Sequence, residues 1–342
     1  MFGTSNGLGT AFGGLSSNDI GHSGFPVSLN YFTALPDPSS LTSSTATLLF
    51  KTLLKRDATT KEKSLNELVT LVEDDTDVNL EIDDTFIIAW IQLYAKLATD
   101  NARNVRSLSH RAQAAILQRF GGKPFAKYLQ TCVPIWLLGS VDPDRTVRRE
   151  TDQLLLRAFT LIERVDKLWS LFEDQILTFV NEVATSETHE SLSDPRYTKD
   201  EDLVARYDRL LNSSIQILIK VIKRWSSTDN LLPSWSDIDT LLQSDIIWDD
   251  ALQRALKTQN TAFLGTILML SESIFSPKQA SFRSSMIKDE KVFKIVLKKF
   301  FKRMKLKSSP LWASIVIQLW STLTALTAYL SKFWDVSDKG KY

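Results

Sequence analysis

Glycine is placed in this chain in a way that few folds tolerate. Of 12 glycines, seven lie before residue 25 (Gly3, Gly7, Gly9, Gly13, Gly14, Gly21 and Gly24). From Leu41 to Lys339 only Gly121, Gly122, Gly139 and Gly265 occur. A sheet-rich domain of that size needs residues with positive φ at many hairpin turns, and glycine supplies that conformation without steric cost. Four glycines cannot serve them all. The body of the chain is therefore expected to be all helical, behind a Gly/Ser/Asn-rich head. Apolar residues at 43%, with 9 Trp and 18 Phe, are ample for a packed core.

Cysteine and charge exclude further classes. One cysteine cannot form an internal disulfide, so a disulfide-stapled scaffold is excluded. One Cys with three scattered His (His22, His110, His189) excludes a Cys-rich structural zinc site, and no cofactor is expected within this chain. With 41 Lys+Arg against 40 Asp+Glu, binding nucleic acid by bulk charge alone is excluded, but a local basic patch is not.

Residues 1–20 read as a disordered leader, with no basic region followed by an apolar run to suggest a secretory signal. Residues 21–44 read as an extended arm. Phe25, Val27, Leu29, Tyr31, Phe32 and Leu35 are too apolar for a solvated linker, and Pro26, Pro36 and Pro38 forbid a helix. Such an arm packs either on its own domain or on a partner. Helical periodicity begins near Thr45, and Leu65, Leu68, Val69 and Val72 mark a second helix. Seven acids without a base follow at residues 73–84, a solvated loop that also caps a helix starting near Asp84. Further helices are expected at about 84–98, 102–119, 124–138, 144–160, 165–183, 200–225, 235–243, 246–274, 286–304 and 310–334. The polar stretch 186–199 reads as a loop between two helical-repeat parts, 45–185 and 200–342.

Residues 100–106 (Asp-Asn-Ala-Arg-Asn-Val-Arg) and 142–148 (Asp-Pro-Asp-Arg-Thr-Val-Arg) share D-x-x-R-x-V-R at an offset of 42, and a weaker copy starts at Asp57. That offset falls within the ~40–47-residue period of HEAT and armadillo repeats. The pattern assigns an Asp to cap the second helix of a hairpin, a Val to the core, and a first-turn Arg to reach the neighbouring repeat. The expected fold is an all-α, HEAT/armadillo-like α-solenoid of antiparallel helical hairpins with an extended N-terminal arm.

Near-neutrality conceals local charge. Between Ala102 and Arg149 nine basic residues, among them Arg103, Arg106, Lys123, Lys127, Arg145, Arg148 and Arg149, face only Asp142 and Asp144. Stacked repeats would align Arg103 and Arg106 with Arg145 and Arg148 on one ridge, with Lys123 and Lys127 near a loop. Such a ridge suits phosphate backbones or an acidic partner, or is an ordinary solvated face. Lys291, Lys294, Lys298, Lys302 and Lys305 form a second stripe, fit for RNA, an anionic membrane or water. Residues 311–330 carry no charge over a membrane-span length, but their Ser, Thr and Gln content favours a buried helix. No catalytic motif appears; Cys132 reads as core and His110 as structural.

Three stretches then carry a family resemblance: LLFKTLLKRDATTKEKSLNELVTLV (48–72), LYAKLATDNARNVRSLSHRAQAAI (93–116) and KPFAKYLQTCVPIWLLGSVDPDRTVRRETDQLLLRAF (123–159). In order, they resemble the opening helices of the listerin family, RING-type E3 ubiquitin ligases of ribosome-associated quality control. The arm GFPVSLNYFTALPDPSSL (24–41) resembles that family's N-terminus. The resemblance implies a long helical-repeat rod whose N-terminal end docks on the large ribosomal subunit, beside the factor that recognises the obstructed peptidyl-tRNA. Its RING, with its zinc, would lie at the far end and ubiquitinate the stalled nascent chain. It implies a non-catalytic, cytoplasmic and monomeric docking module here, with no membrane contact. Arg103, Arg106, Lys123, Lys127, Arg145, Arg148, Arg149, Phe25 and Pro26 are the candidate contacts. A generic protein-binding helical scaffold and a membrane-associated protein using residues 291–330 are the competing readings.

Overall fold

The computed structural model describes residues 25–74, 80–225, 246–275 and 310–329. The leader, the helices expected at 235–243 and 286–304, and the lysine stripe of 291–305 lie outside the described residues. Among the described residues every regular element is helical and none is a strand.

The helices are α1 (Ser44–Leu53), α2 (Ala58–Glu73), α3 (Asp84–Leu97), α4 (Arg103–Phe120), a single turn α5 (Gly122–Phe125), α6 (Leu129–Gly139), α7 (Arg145–Phe159), α8 (Ile162–Leu171), α9 (Glu173–Thr185) and α10 (Asp200–Trp225). A π-helical turn, Ile246–Ala251, then leads into α11 (Leu252–Lys257), α12 (Thr261–Phe275) and α13 (Pro310–Tyr329).

Local chemistry sets several of the starts. Ser43, Asp57, Asp83 and Asp144 each accept from backbone N–H groups in the first turn of α1, α2, α3 and α7. Those groups have no carbonyl within the helix to bond. Asp83 thus fulfils the capping expected of the acidic stretch. Three expected helices are interrupted. The segment expected as 165–183 breaks at Phe172 into α8 and α9, the 246–274 segment breaks at Thr258–Asn260, and the 124–138 segment begins as α5 and a 3₁₀ turn before α6. Apolar spacing continues across each break, so periodicity alone does not reveal them.

The chain divides into two compact units. One comprises the described residues up to Ile176 with Glu187–Tyr207; the other comprises Leu177–Ser186 with the described residues from Asp208 on. The division falls inside α9 and α10 rather than at the 186–199 stretch, most of which belongs to the first unit.

Within the first unit, α1–α2, α3–α4 and α6–α7 are helical hairpins. Their second helices stack side by side, with α4 packed between α2 and α7. Leu65, Leu68, Val105, Ile116, Val147 and Leu155 turn inward from this layer. From α3, Phe86, Ile87, Trp90, Ile91 and Tyr94 are all buried. Phe50 meets Phe86 with ring centroids 5.1 Å apart, and Trp136 meets Phe159 at 5.7 Å. Burying such rings is the main driving force for stacking amphipathic helices. In the second unit α12 and α13 pack together. Gln318 Nε2 and Ser321 Oγ each donate to Glu272 at 2.8 Å, and Thr322 Oγ1 donates to the Leu268 carbonyl at 3.1 Å. No described helix is long and apolar enough to cross a membrane.

Candidate functional site

The basic residues singled out from sequence separate into three groups. Arg103 and Arg145 open α4 and α7, and both are exposed. Arg149 is exposed and Arg148 half-buried one turn further into α7. The Arg103 side chain is 67% exposed and reaches Asp144 only at 3.9 Å, a weak screened pair that leaves its charge available. These four residues form a cationic surface where neighbouring helices begin, and the positive ends of the helix dipoles reinforce it.

Arg106 does not belong to that surface. It is 4% exposed, and its guanidinium forks onto Asp142, Nε to Oδ2 at 2.8 Å and Nη2 to Oδ1 at 3.2 Å. Nη1 donates to the carbonyls of Asp100 and Asn101 at 2.9 and 3.0 Å. The repeat explains why. Asp100 and Asp142 occupy the same position in successive copies of D-x-x-R-x-V-R, and each accepts from the N–H two residues ahead, Ala102 and Asp144. Lys61 holds Asp100 at 2.7 Å just as Arg106 holds Asp142. Each second helix therefore clamps the carboxylate that opens the next, and Arg106 serves as a rung between repeats.

Lys123 and Lys127 are exposed but stand at the opposite end of α4, whose 18 residues span about 27 Å. The single ridge expected from sequence is thus two separate patches. Lys127 pairs with Asp84 at 2.9 Å, and Tyr128 donates to the same carboxylate at 2.7 Å. Partial burial and that hydrogen bond push the Tyr128 hydroxyl up to about 12.

The arm lies on its own domain. Phe25 is half-buried, 6.1 Å from the Tyr128 ring, while Pro26 is exposed and its carbonyl accepts from Gln92 Nε2 at 3.1 Å. Leu29 is 3% exposed. The main clasp is Lys96, whose Nζ donates to the carbonyls of Ser28, Asn30 and Thr33 at 2.9, 2.6 and 2.8 Å. Burial, with Arg206 nearby, pushes this amine down to about 8. The arm ends in a 3₁₀ turn, Pro38–Ser40, before the Ser43 cap.

Beside the arm opens a cleft of about 180 Å³, lined by leucines of the arm, α1 and α3 and by Lys61, Lys96, Asp100 and Arg206. Its charges are already engaged. Arg206 donates to Ser193 Oγ and Thr99 Oγ1 at 2.9 Å and to the Lys96 carbonyl at 3.0 Å. The cleft therefore serves to seat the arm and the 187–207 segment. Cys132 and His110 are fully buried. Burial raises the thiol and lowers the imidazole to about 3, so neither is set up as a nucleophile or base near neutrality. Among the described residues no group of three or more His, Cys, Asp and Glu is arranged to hold a metal ion.

One exposed cluster escaped the sequence reading. Arg56, Arg196 and Tyr197 meet although 140 positions separate Arg56 from Arg196 and 141 separate it from Tyr197; no local pattern links an arginine between α1 and α2 to a tyrosine in the 187–199 stretch.

Residues 41–342 match the family described as "E3 ubiquitin-protein ligase listerin, N-terminal domain". The chain belongs to the listerin family. It is 32% identical over 289 residues to E3 ubiquitin-protein ligase listerin of Saccharomyces cerevisiae, covering 83% of this chain and 18% of that protein. Against the Neurospora crassa listerin the identity is 34% over 270 residues, covering 78% of this chain and 16% of the relative. The Gallus gallus listerin matches 51% of this chain at 25% identity. The chain thus spans less than a fifth of the length of these listerins. Among solved structures, the MAST/Orbit N-terminal domain covers 74% of the chain at 16% identity and a TM-score of 0.30.

Proposed function

We propose that this listerin-family chain is the docking end of a RING-type E3 ubiquitin ligase. In this reading it seats a much longer polypeptide on the large ribosomal subunit in the cytoplasm. A RING beyond this chain, carrying the zinc, then ubiquitinates the stalled nascent chain. The module acts as a monomer, beside the factor that recognises the obstructed peptidyl-tRNA.

The observation that carries the docking role is the exposed arginine surface at the starts of α4 and α7. Arg103, Arg145 and Arg149 project from elements rigidly stacked by the Arg106–Asp142 rung. Three flexible cations on a fixed base neutralise phosphates without reading sequence, so affinity would fall steeply with salt. Lys123, Lys127, Phe25 and Pro26 form a second surface at the other end of α4, suited to a protein contact. There an exposed proline and a half-buried ring stand beside a lysine already paired to Asp84.

The test is co-sedimentation of the chain with purified large subunits at physiological salt. Reversing Arg103, Arg145 and Arg149 to Glu should abolish co-pelleting while leaving helicity and thermal midpoint in place. Unchanged co-pelleting would remove this surface from the contact. A wild-type chain that never pellets with large subunits would overturn the docking role.

A further inference from the structure

Three segments far apart in the chain meet at one exposed corner of the first unit. Arg56 comes from the turn between α1 and α2, Tyr31 and Phe32 from the arm, and Arg196 and Tyr197 from the 187–199 stretch. The Arg56 guanidinium lies over the Tyr197 ring, 3.3 Å from its centroid, with Nη2 3.5 Å from Asp194 Oδ2. Arg196 forks onto the same carboxylate through Nε and Nη2, both at 2.9 Å, with its guanidinium 5.5 Å from the Tyr197 centroid. Tyr31 lies against Arg56, and Phe32 meets Tyr31 edge-on at 5.2 Å.

The corner is built in advance of any ligand. Asp194 is 3% exposed, and its carbonyl accepts from the N–H groups of Tyr197 and Thr198, both at 3.1 Å. Its carboxylate accepts from Arg196 N at 3.1 Å. Tyr31 N donates to the Ser191 carbonyl at 2.8 Å, which ties the arm to this stretch. A rigid aspartate-centred turn therefore holds the rings and guanidiniums in place.

Yet the flat groups are open to water. Tyr197 is 62% exposed and Phe32 50%, and the side chains of Arg56 and Arg196 are 51% and 70% exposed. Core packing does not account for a tyrosine and a phenylalanine left this bare. Two guanidiniums share one carboxylate, so the corner is also net positive. An arginine stacked on an exposed ring widens the planar surface and keeps its charge at the rim. Exposed planes with positive charge around them match one ligand chemistry, a nucleobase face with its phosphate. An acidic peptide would use the charge but not the rings, and a duplex hides its base faces by stacking.

We infer that Arg56, Arg196, Tyr197 and Phe32 form a stacking platform for an unpaired RNA base. This deepens the docking proposal by naming what a third face of the domain meets, and it rests on that proposal only for the source of the RNA.

The experiment uses the whole chain and fluorescein-labelled oligouridylate, oligoadenylate and a blunt RNA duplex, read by anisotropy. Single strands should bind more tightly than the duplex. Tyr197→Leu should weaken single-strand binding by about 5- to 150-fold, the range for loss of one stacked base. Arg56→Lys keeps the charge but removes the plane, and should also weaken it. Tyr197→Phe keeps the ring and should keep wild-type affinity. Unchanged single-strand affinity in Tyr197→Leu, or equal competition by duplex and polyglutamate, overturns the platform. Since no ribosome is present, this outcome is read independently of co-sedimentation. Loss of oligonucleotide binding in wild type with subunits still pelleting would sink the platform alone, and the reverse would sink the docking proposal alone.

Discussion

Arg106 offers the sharpest test of how the repeats are joined. In Arg106→Met the stem volume is largely kept, but two bonds to Asp142 and two to the Asp100 and Asn101 carbonyls are lost. Asp142 is then left as a buried carboxylate, 7% exposed, with only the Asp144 N–H to answer it. Removing one partner of a buried pair costs about 3–5 kcal/mol, because the remaining charge is stranded in a poor solvent. For a unit of this size, each kcal/mol lowers the thermal midpoint by about 2–4 °C, so a fall of roughly 6–20 °C is expected. Arg103→Met supplies the contrast. Its pair with Asp144 is exposed and 3.9 Å long, so a change within about 0.5 kcal/mol is expected. The double variant Arg106→Met/Asp142→Leu removes both charges together and should recover most of the loss. Urea unfolding followed by amide exchange in α4 and α7 measures all three. If Arg106→Met costs no more than Arg103→Met, the rung between repeats does not hold them together.

Other expectations follow from the same interior. His110 is fully buried and its folded pKa, about 3, lies below the ordinary 6.5, so the unfolded chain binds the extra proton. Its contribution is complete above pH 6.5 and is lost as pH falls towards 3; about 2 kcal/mol should vanish between pH 7 and pH 5, and His110→Gln should remove that slope in urea titrations. Gly139→Ala, which on an open helix gains about 1 kcal/mol, should here cost about 1–3 kcal/mol. The new Cβ would stand 2.7 Å from Thr151 Oγ1 and closer still to His110 Nε2, so an unchanged or higher melting midpoint would refute the packing argument. Lys96→Met should speed amide exchange across residues 28–33, since three carbonyls lose their donor. Lys96 has its folded pKa depressed to about 8 from 10.5, so its contribution to stability rises with pH across that window, and the same variant should flatten this rise.

What the sequence determined by itself is local. The scarcity of glycine, the 3–4 apolar spacing, the capping Ser and Asp residues and the 42-residue repeat all act within a few turns of chain. They made the helices, the hairpins and the role of the first-turn arginine as a link between repeats legible. The three stretches between residues 48 and 159 also made the family legible, and the match over 41–342 shows it.

Only the tertiary structure decided which face of each element is covered. Two arginines of identical spacing in one motif part company: Arg103 stays in water, whereas Arg106 is buried because the next repeat brings Asp142 to meet it. The arm's prolines and apolar residues fitted packing on its own domain and packing on a partner, and Lys96, more than 60 residues downstream of its three acceptors, holds it on its own domain. Lys123 and Lys127 separated from the arginines because α4 carries the chain to the other end of the hairpin. The Arg56–Tyr197 corner joins segments with no sequence proximity at all. A side chain's exposure depends on what distant segments bring against it, and short-range pattern does not contain that information.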